Sequence, residues 1–318
     1  MKTIFLGTPS WAVPSLEILC ASAHRPALVL TQPARRRARE AAPTPSPIGA
    51  AAAALGIACE MTESVRSEET LARLASIEAD LFVVVAYGEI LPRTVLEMPR
   101  LGCVNLHFSL LPRYRGAAPV QWAIADGAKE TGVTTMRLVP KMDAGPVYLK
   151  ESVAIESGER TPVLGDRLAL IGAALLLRTL DGIEGGALHA IEQDAASATY
   201  ARMLTAEDGW IDWGLPAEAI VRRVHGFDPW PGQAALGRKG KIKIVEARAA
   251  AAADDSPQPG CVLGAAGDGC RIACADGSVL EALVVRPEGR GDMTGAEAVR
   301  GRQLSAGDIL GRPDGPRS

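Results

Sequence analysis

Through its first half the chain alternates short apolar runs with stretches of helical spacing. Lys2–Gly7, Ala27–Thr31, Asp80–Ala86 and Gly102–His107 read as strands. Leu81-Phe82-Val83-Val84-Val85 is apolar throughout, as in a strand covered on both faces. Between the strands, Val13–Ala23, Pro47–Leu55 and Ser67–Ile77 carry helical periodicity with Pro or Ser near their starts. This βαβαβ alternation predicts an α/β fold with a Rossmann-like, mostly parallel open sheet. Such sheets bind ligands at the carboxyl ends of their strands, where Gly7-Thr8-Pro9, Ala86-Tyr87-Gly88 and His107-Phe108-Ser109 all fall.

Beyond Asp143 the pattern continues with a strand-like Val147–Ile155 and a long apolar helix over Pro162–Ile183, ended by Glu184-Gly185-Gly186. A polar, alanine-rich connection follows. The remainder changes character. Lys241–Arg248, Gly260–Leu263, Arg271–Ala275 and Val279–Arg286 are short β-like runs between Gly, Pro and Asp clusters, which predicts a small, OB-like β-barrel. Ala249–Ala253 with Asp254-Asp255-Ser256 reads as an exposed loop, and Gly311–Ser318 as a frayed tail. No internal repeat is evident.

A length of 318 residues agrees with two domains. The boundaries expected are a first domain over 1–188, a linker over 189–206 and the β-barrel over 207–318. A net charge of -3 gives no global pull toward a polyanion or a membrane, so a nucleic acid has to be met by a local basic patch. No apolar stretch approaches the roughly 20 residues of a membrane span. The apolar start reads as a first buried strand, not a signal peptide. Cys20, Cys59, Cys103, Cys261, Cys270 and Cys274 lack paired spacing, which fits a reducing cytoplasm. Cys270 and Cys274 have no second pair of ligands nearby, so no metal is expected.

The candidate chemistry lies in Cys103-Val104-Asn105-Leu106-His107 and in Lys141-Met142-Asp143-Ala144-Gly145. Residues i and i+2 of a strand share a face about 6.5–7 Å apart, so the Asn105 amide and the His107 imidazole can converge on one small group. A carboxylate from a later loop, Asp143, orients and polarises the ring. An amide donor for an oxyanion, an imidazole for proton traffic and a carboxylate to hold it are the groups needed to move an acyl-like group to an amine. A satisfied polar pair in a core is the plain alternative. No Gly-x-Ser-x-Gly elbow is present, and neither Ser109 nor a cysteine has a base at nucleophile spacing, which disfavours a covalent route. Arg35, Arg36, Arg37 and Arg39 crowd one loop, which is either a solvated surface or a place to meet a phosphate backbone.

At these residues the chain resembles the methionyl-tRNA formyltransferases. The strings that carry the likeness begin with Gly7-Thr8-Pro9, Ala12-Val13-Pro14, Thr31-Gln32-Pro33 and Pro45-Ser46-Pro47. They continue with Ala86-Tyr87-Gly88, Ile90-Leu91-Pro92 and Glu97–Cys103, and with Asn105 and His107 running into Ser109–Pro112. Tyr114-Arg115-Gly116-Ala117-Ala118-Pro119, Gly132-Val133-Thr134, Met142–Gly145, Ile211-Asp212-Trp213 and Pro229-Trp230-Pro231-Gly232 complete them, in order, over nearly the whole chain. The resemblance implies transfer of a formyl group from 10-formyltetrahydrofolate to the amino group of methionine on initiator tRNA. Asn105, His107 and Asp143 would be catalytic. The folate would lie across Tyr87, Gly88, Ile90, Leu91, Ser109, Leu110, Leu111 and Pro112. The loop bearing Arg35, Arg36, Arg37 and Arg39 would enter the tRNA acceptor arm, with Arg39 at the end of the stem. A cytoplasmic monomer without metal is expected.

The chain departs from the family pattern at several places. Ala41 and Ala42 replace two lysines, and Arg36 and Arg37 stand where small residues or proline are common. Phe108 replaces a small residue beside His107, and either points to the opposite face or narrows the formyl site. His225 stands where arginine is common. A formyltransferase acting on an amino sugar and a catalytically silent RNA-binding module are the other readings. The arginine loop and the β domain argue against the first, and the intact Asn105, His107 and Asp143 against the second.

Overall fold

Burial explains the first strands of the structure, a computed structural model that describes residues 1–33, 45–251 and 257–313. β1 (Thr3–Gly7) is buried along its whole length, and α1 (Val13–Cys20) leads into β2 (Pro26–Thr31). α2 (Pro47–Ala54) starts where the Ser46 hydroxyl accepts the Gly49 amide. After β3 (Cys59–Met61), Ser67 caps α3 (Glu68–Ser76) in the same way through Thr70. β4 (Leu81–Val85), buried at every position, the one-turn α4 (Arg93–Leu96) and β5 (Cys103–His107) complete the βα run. α5 (Pro119–Ala125), β6 (Glu130–Arg137), β7 (Val147–Ala154) and α6 (Thr161–Glu184) follow.

The sheet order is β3-β2-β1-β4-β5-β6-β7, with parallel pairing from β3 to β5 and antiparallel pairing of β6 and β7. The connection therefore reverses direction between β1 and β4, and the loops after these strands meet at the carboxyl edge. Thr8 Oγ1 donates to Tyr87 O there at 2.8 Å. β3, α5 and β6 have no counterpart among the expected elements. β6 is hidden by Thr131, Thr134 and Thr135, polar residues that are all buried.

The chain divides into two compact units: Met1–Pro119, Glu130–Ala154 and Leu164–Arg202 form one, and Val120–Lys129, Ile155–Val163 and Met203–Ser318 the other. In the second, α7 (Ala217–Gly226) precedes β8 (Gln233–Gly237), β9 (Gly240–Ala250), β10 (Val262–Ala266), β11 (Gly269–Ala273), β12 (Val279–Pro287), β13 (Met293–Thr294) and α8 (Gly295–Arg300). The antiparallel order is β10-β11-β12-β9-β8. The C-terminal segment bridges both edges, since Leu236 pairs with Gly311 and Cys261 with Ile309, so the sheet closes on itself around Ile220, Ile242, Ile272, Leu280 and Leu310. Two expectations are corrected here. Ala249 and Ala250 belong to β9 because they pair with Leu280 and Val279, and Gly311 is held in the closure and is not part of a free tail. Among the described residues no helix is long and apolar enough to cross a membrane.

Candidate active site

β5 carries Asn105 opposite Met136 of β6 and His107 opposite Thr134, two residues apart on one face. His107 is 6 % exposed. Its Nε2 lies 3.0 Å from Tyr114 O, an atom that only accepts, so Nε2 carries a hydrogen and donates it. Nδ1 is 3.8 Å from Asp143 Oδ2, beyond hydrogen-bond length, so the carboxylate acts on the ring through its charge. The same Oδ2 accepts the Gly116 amide at 2.8 Å. Asp143 sits in the left-handed region at φ 49°, and a Cβ on Gly145 would fall 1.8 Å from Arg137 O. Asn105 is half-buried, and its amide finds no partner among the described residues. The structure thus brings an oriented imidazole, a carboxylate and a strand bearing an uncommitted amide to the carboxyl edge of the sheet.

The residues assigned to folate divide by exposure. Tyr87 and Leu91 point into the core with Phe82, Val84 and Val95, and burial raises the Tyr87 phenol above its ordinary range. What residue 87 offers its surroundings is backbone. Gly88 at φ 94° and Ile90, 59 % exposed, are the open part of that loop. Its far side is tied down by Glu89, which accepts the Ser64 hydroxyl and the Val65 amide at 3.0 and 2.9 Å. In the second loop Ser109 and Leu111 are buried and Leu110 and Pro112 half-buried. Ser109 Oγ donates to Arg113 O at 2.6 Å, and Leu110 lies over Gly132, where a Cβ would come within 2.5 Å of it.

Sequence reasoning alone does not mark the residues that hold this loop. Thr134 Oγ1 donates to Ser109 O at 2.6 Å and accepts Leu111 N at 3.2 Å. Lys150 Nζ donates to Leu111 O, and burial lowers the pKa of that amine. Phe108 packs its ring 5.8 Å from that of Trp11, whose Nε1 donates to Asp166 Oδ1 at 3.1 Å. Trp11 needs Gly165, since a Cβ there would stand 1.9 Å from Trp11 Cζ2.

Arg35, Arg36, Arg37 and Arg39 lie outside the described residues. In the second unit His225 is half-buried, and burial together with the nearby Arg160 lowers its pKa. Arg160 pairs with Asp228 at 3.3 Å and donates to Val245 O. Among the described residues no group of three or more metal-ligating side chains gathers.

Comparison with known proteins identifies the family of both domains. Residues 1–180 match the formyl transferase family, and residues 203–303 match the formyl transferase C-terminal domain. The methionyl-tRNA formyltransferase of Solibacter usitatus is 42% identical over 98% of this chain and 99% of its own. That of Citrifermentans bemidjiense is 38% identical over 99% of this chain and 98% of its own. Among solved structures, the N-formyltransferase of Helicobacter canadensis in complex with folinic acid and dTDP-3-aminofucose has a TM-score of 0.63 at 17% identity. It covers 89% of this chain and 98% of its own, a likeness of fold. With both domains matched in order and relatives this similar from end to end, the chain belongs to the methionyl-tRNA formyltransferase family.

Proposed function

We propose that this chain transfers the formyl group of 10-formyltetrahydrofolate to the amino group of methionyl initiator tRNA, as a monomer of the cytoplasm. The observation that carries the reading is His107, donating from Nε2 to Tyr114 O with Asp143 at Nδ1, on the same strand face as Asn105. The neutral amine attacks the formyl carbon, a new C–N bond forms and the carbonyl oxygen becomes an oxyanion. Asn105 donates its free amide hydrogens to that oxygen. With Nε2 committed to Tyr114 O, His107 takes the proton lost by the attacking amine at Nδ1, beside Asp143, and passes it toward the departing folate nitrogen as the old C–N bond breaks. Asp143 holds the imidazole and balances the charge it gains.

The open backbone at Gly88 and Ile90 and the loop over Ser109, Leu110, Leu111 and Pro112 would hold the folate. Tyr87 and Leu91 would act from beneath as packing. The catalytic part would be residues 1–188, followed by a linker over 189–206. Residues 207–318 and the loop with Arg35, Arg36, Arg37 and Arg39 would bind the tRNA, since a phosphate backbone needs a local cluster of cations on a chain whose net charge is -3. The test is incubation with 10-formyltetrahydrofolate and either methionyl initiator tRNA or a nucleotide-linked amino sugar. Formylation of the methionyl-tRNA alone is expected, and formylation of the sugar alone would overturn the reading.

A further inference from the structure

Residues just beyond α6 grip both loops of the site. Val147 and Ile191 exchange backbone hydrogen bonds of 2.7 and 2.8 Å. Thr199 N donates to Pro112 O, Arg115 N to Thr199 O and Ala201 N to Arg115 O, at 3.2, 2.8 and 2.7 Å. Gln193 stands between these grips. Its Nε2 donates to Asp143 O and Gly145 O at 2.9 and 2.7 Å. Its Oε1 accepts Nε and Nη2 of Arg115 at 3.1 and 2.8 Å. Arg115, 3 % exposed, is thereby fixed, and its neighbour Gly116 donates to the Asp143 carboxylate. Thr199 Oγ1 in turn accepts the amide of Tyr114, whose carbonyl takes the His107 Nε2 hydrogen.

The strap therefore holds, through their main-chain atoms, the two residues whose oxygens face the two nitrogens of His107, Tyr114 by its amide and Asp143 by its carbonyl. A non-glycine residue in the left-handed region persists only where its surroundings over-determine it. At Asp143 the Gln193 amide and the Gly116 amide do so. We propose that Gln193, Arg115 and Thr199 are positioning residues for the reaction, a strap that sets the angle of the His107 ring and the position of the Asp143 carboxylate. The proposal rests on the formyl-transfer reading of His107 and Asp143.

Gln193→Glu separates the two halves of the strap. A carboxylate still accepts from Arg115 and adds an ion pair, yet it turns oxygens toward the carbonyls of Asp143 and Gly145. A modest fall in thermal midpoint is expected, because the Arg115 ion pair offsets only part of the loss of both carbonyls' donor. Single-turnover formylation should slow at least tenfold at a temperature where the variant is fully folded, with KM for both substrates within twofold. Thr199→Val should slow the reaction likewise, and Thr199→Ser, which keeps the hydroxyl, should recover most of the rate. Hydrogen exchange supplies a readout independent of activity. The amides of 114–118 and 143–145 should exchange faster in Gln193→Glu while β1 and β4 stay as protected as before. A Gln193→Glu protein with the parent's rate, or one slowed only in proportion to a fall in thermal midpoint, would overturn the proposal. A parent protein that fails to formylate methionyl-tRNA overturns the functional reading alone. Exchange then decides the strap, and unchanged protection at 114–118 and 143–145 would sink it.

Discussion

Asn105→Ala separates chemistry from folding more cleanly than any other change in the site. Asn105 lies on β5 between Val84 of β4 and Met136 of β6, and the backbone ladder that holds it does not involve its side chain. The amide is half-buried and has no partner among the described residues, so its removal breaks no hydrogen bond and leaves no buried group stranded. Such a change falls within about 0.5 kcal/mol in stability, or about 1–2 °C in thermal midpoint for a domain of this size. Loss of one donor to an oxyanion raises the barrier by about 2.7–4 kcal/mol, a slowing of roughly 10²–10³-fold at about 1.36 kcal/mol per decade. Rapid-quench formylation of methionyl-tRNA under single-turnover conditions measures the chemical step, and calorimetry on the same preparation measures the fold. Asn105→Asp, which swaps the donor for an acceptor without changing shape, should be at least as slow. A variant that formylates within a few-fold of the parent rate removes Asn105 from the mechanism. A slow variant that also melts many degrees lower makes the residue structural.

Thr134→Val keeps the shape of a fully buried side chain but strips partners from Ser109 O and Leu111 N, each left at a cost of about 1–3 kcal/mol. A higher KM for 10-formyltetrahydrofolate is expected in steady-state assays, and an unchanged value would disconnect Thr134 from the loop. Gly165→Ala puts a methyl into the ring of Trp11 and should cost about 1–3 kcal/mol by overpacking, read by urea unfolding. Trp11→Phe in the same chain should restore most of the loss. His225, held below its ordinary pKa of 6.5 first by burial and then by Arg160, binds its proton more readily in the unfolded chain. The fold therefore loses stability as pH falls through 6.5 toward the depressed value, and the loss levels off below it. Unfolding measured at neutral and mildly acidic pH should show a smaller acid loss in His225→Gln, and an equal loss in both proteins would count against that assignment.

Much of this architecture is legible in the sequence where burial and pattern coincide. β4 is an unbroken apolar run because both its faces are covered, and Asn105 and His107 share a face because a strand repeats every two residues. Legibility fails where polar residues are buried and satisfied. β6 reads as polar, yet Thr135 Oγ1 bonds the Thr179 hydroxyl of α6 at 2.7 Å and Thr134 bonds the loop after β5. It fails again where meaning lies in a pairing of distant residues. Nothing near Phe108 in the chain foretells that its ring packs against Trp11, which in turn needs the space left by Gly165. Tyr87 is the converse case. A tyrosine at a strand end looks like a ligand wall, but its ring lies in the core and only its main chain faces the neighbouring loop.

The antiparallel turn of β6 creates the problem that the rest of the site solves. β5 runs toward His107, so β6 runs away from it, and Arg137 ends opposite Val104, three residues or about 10 Å back along the strand. A carboxylate from the next loop starts at the wrong end of the sheet. Leu138 N bonds Cys103 O, and Arg137 N bonds Pro146 O, so the loop leaves and returns through one narrow neck. That neck can close only because residue 145 has no side chain to meet Arg137 O. From it the chain makes an excursion that turns at Lys141–Ala144 and delivers Asp143 to His107 in a left-handed conformation. A loop built this way has no strand to stiffen its tip, and Asp143 is fixed by bonds from elsewhere, its carboxylate by the Gly116 amide and its main-chain carbonyl by Gln193. The neck, the turn and those outside bonds are therefore as much determinants of the His107–Asp143 geometry as the two side chains themselves.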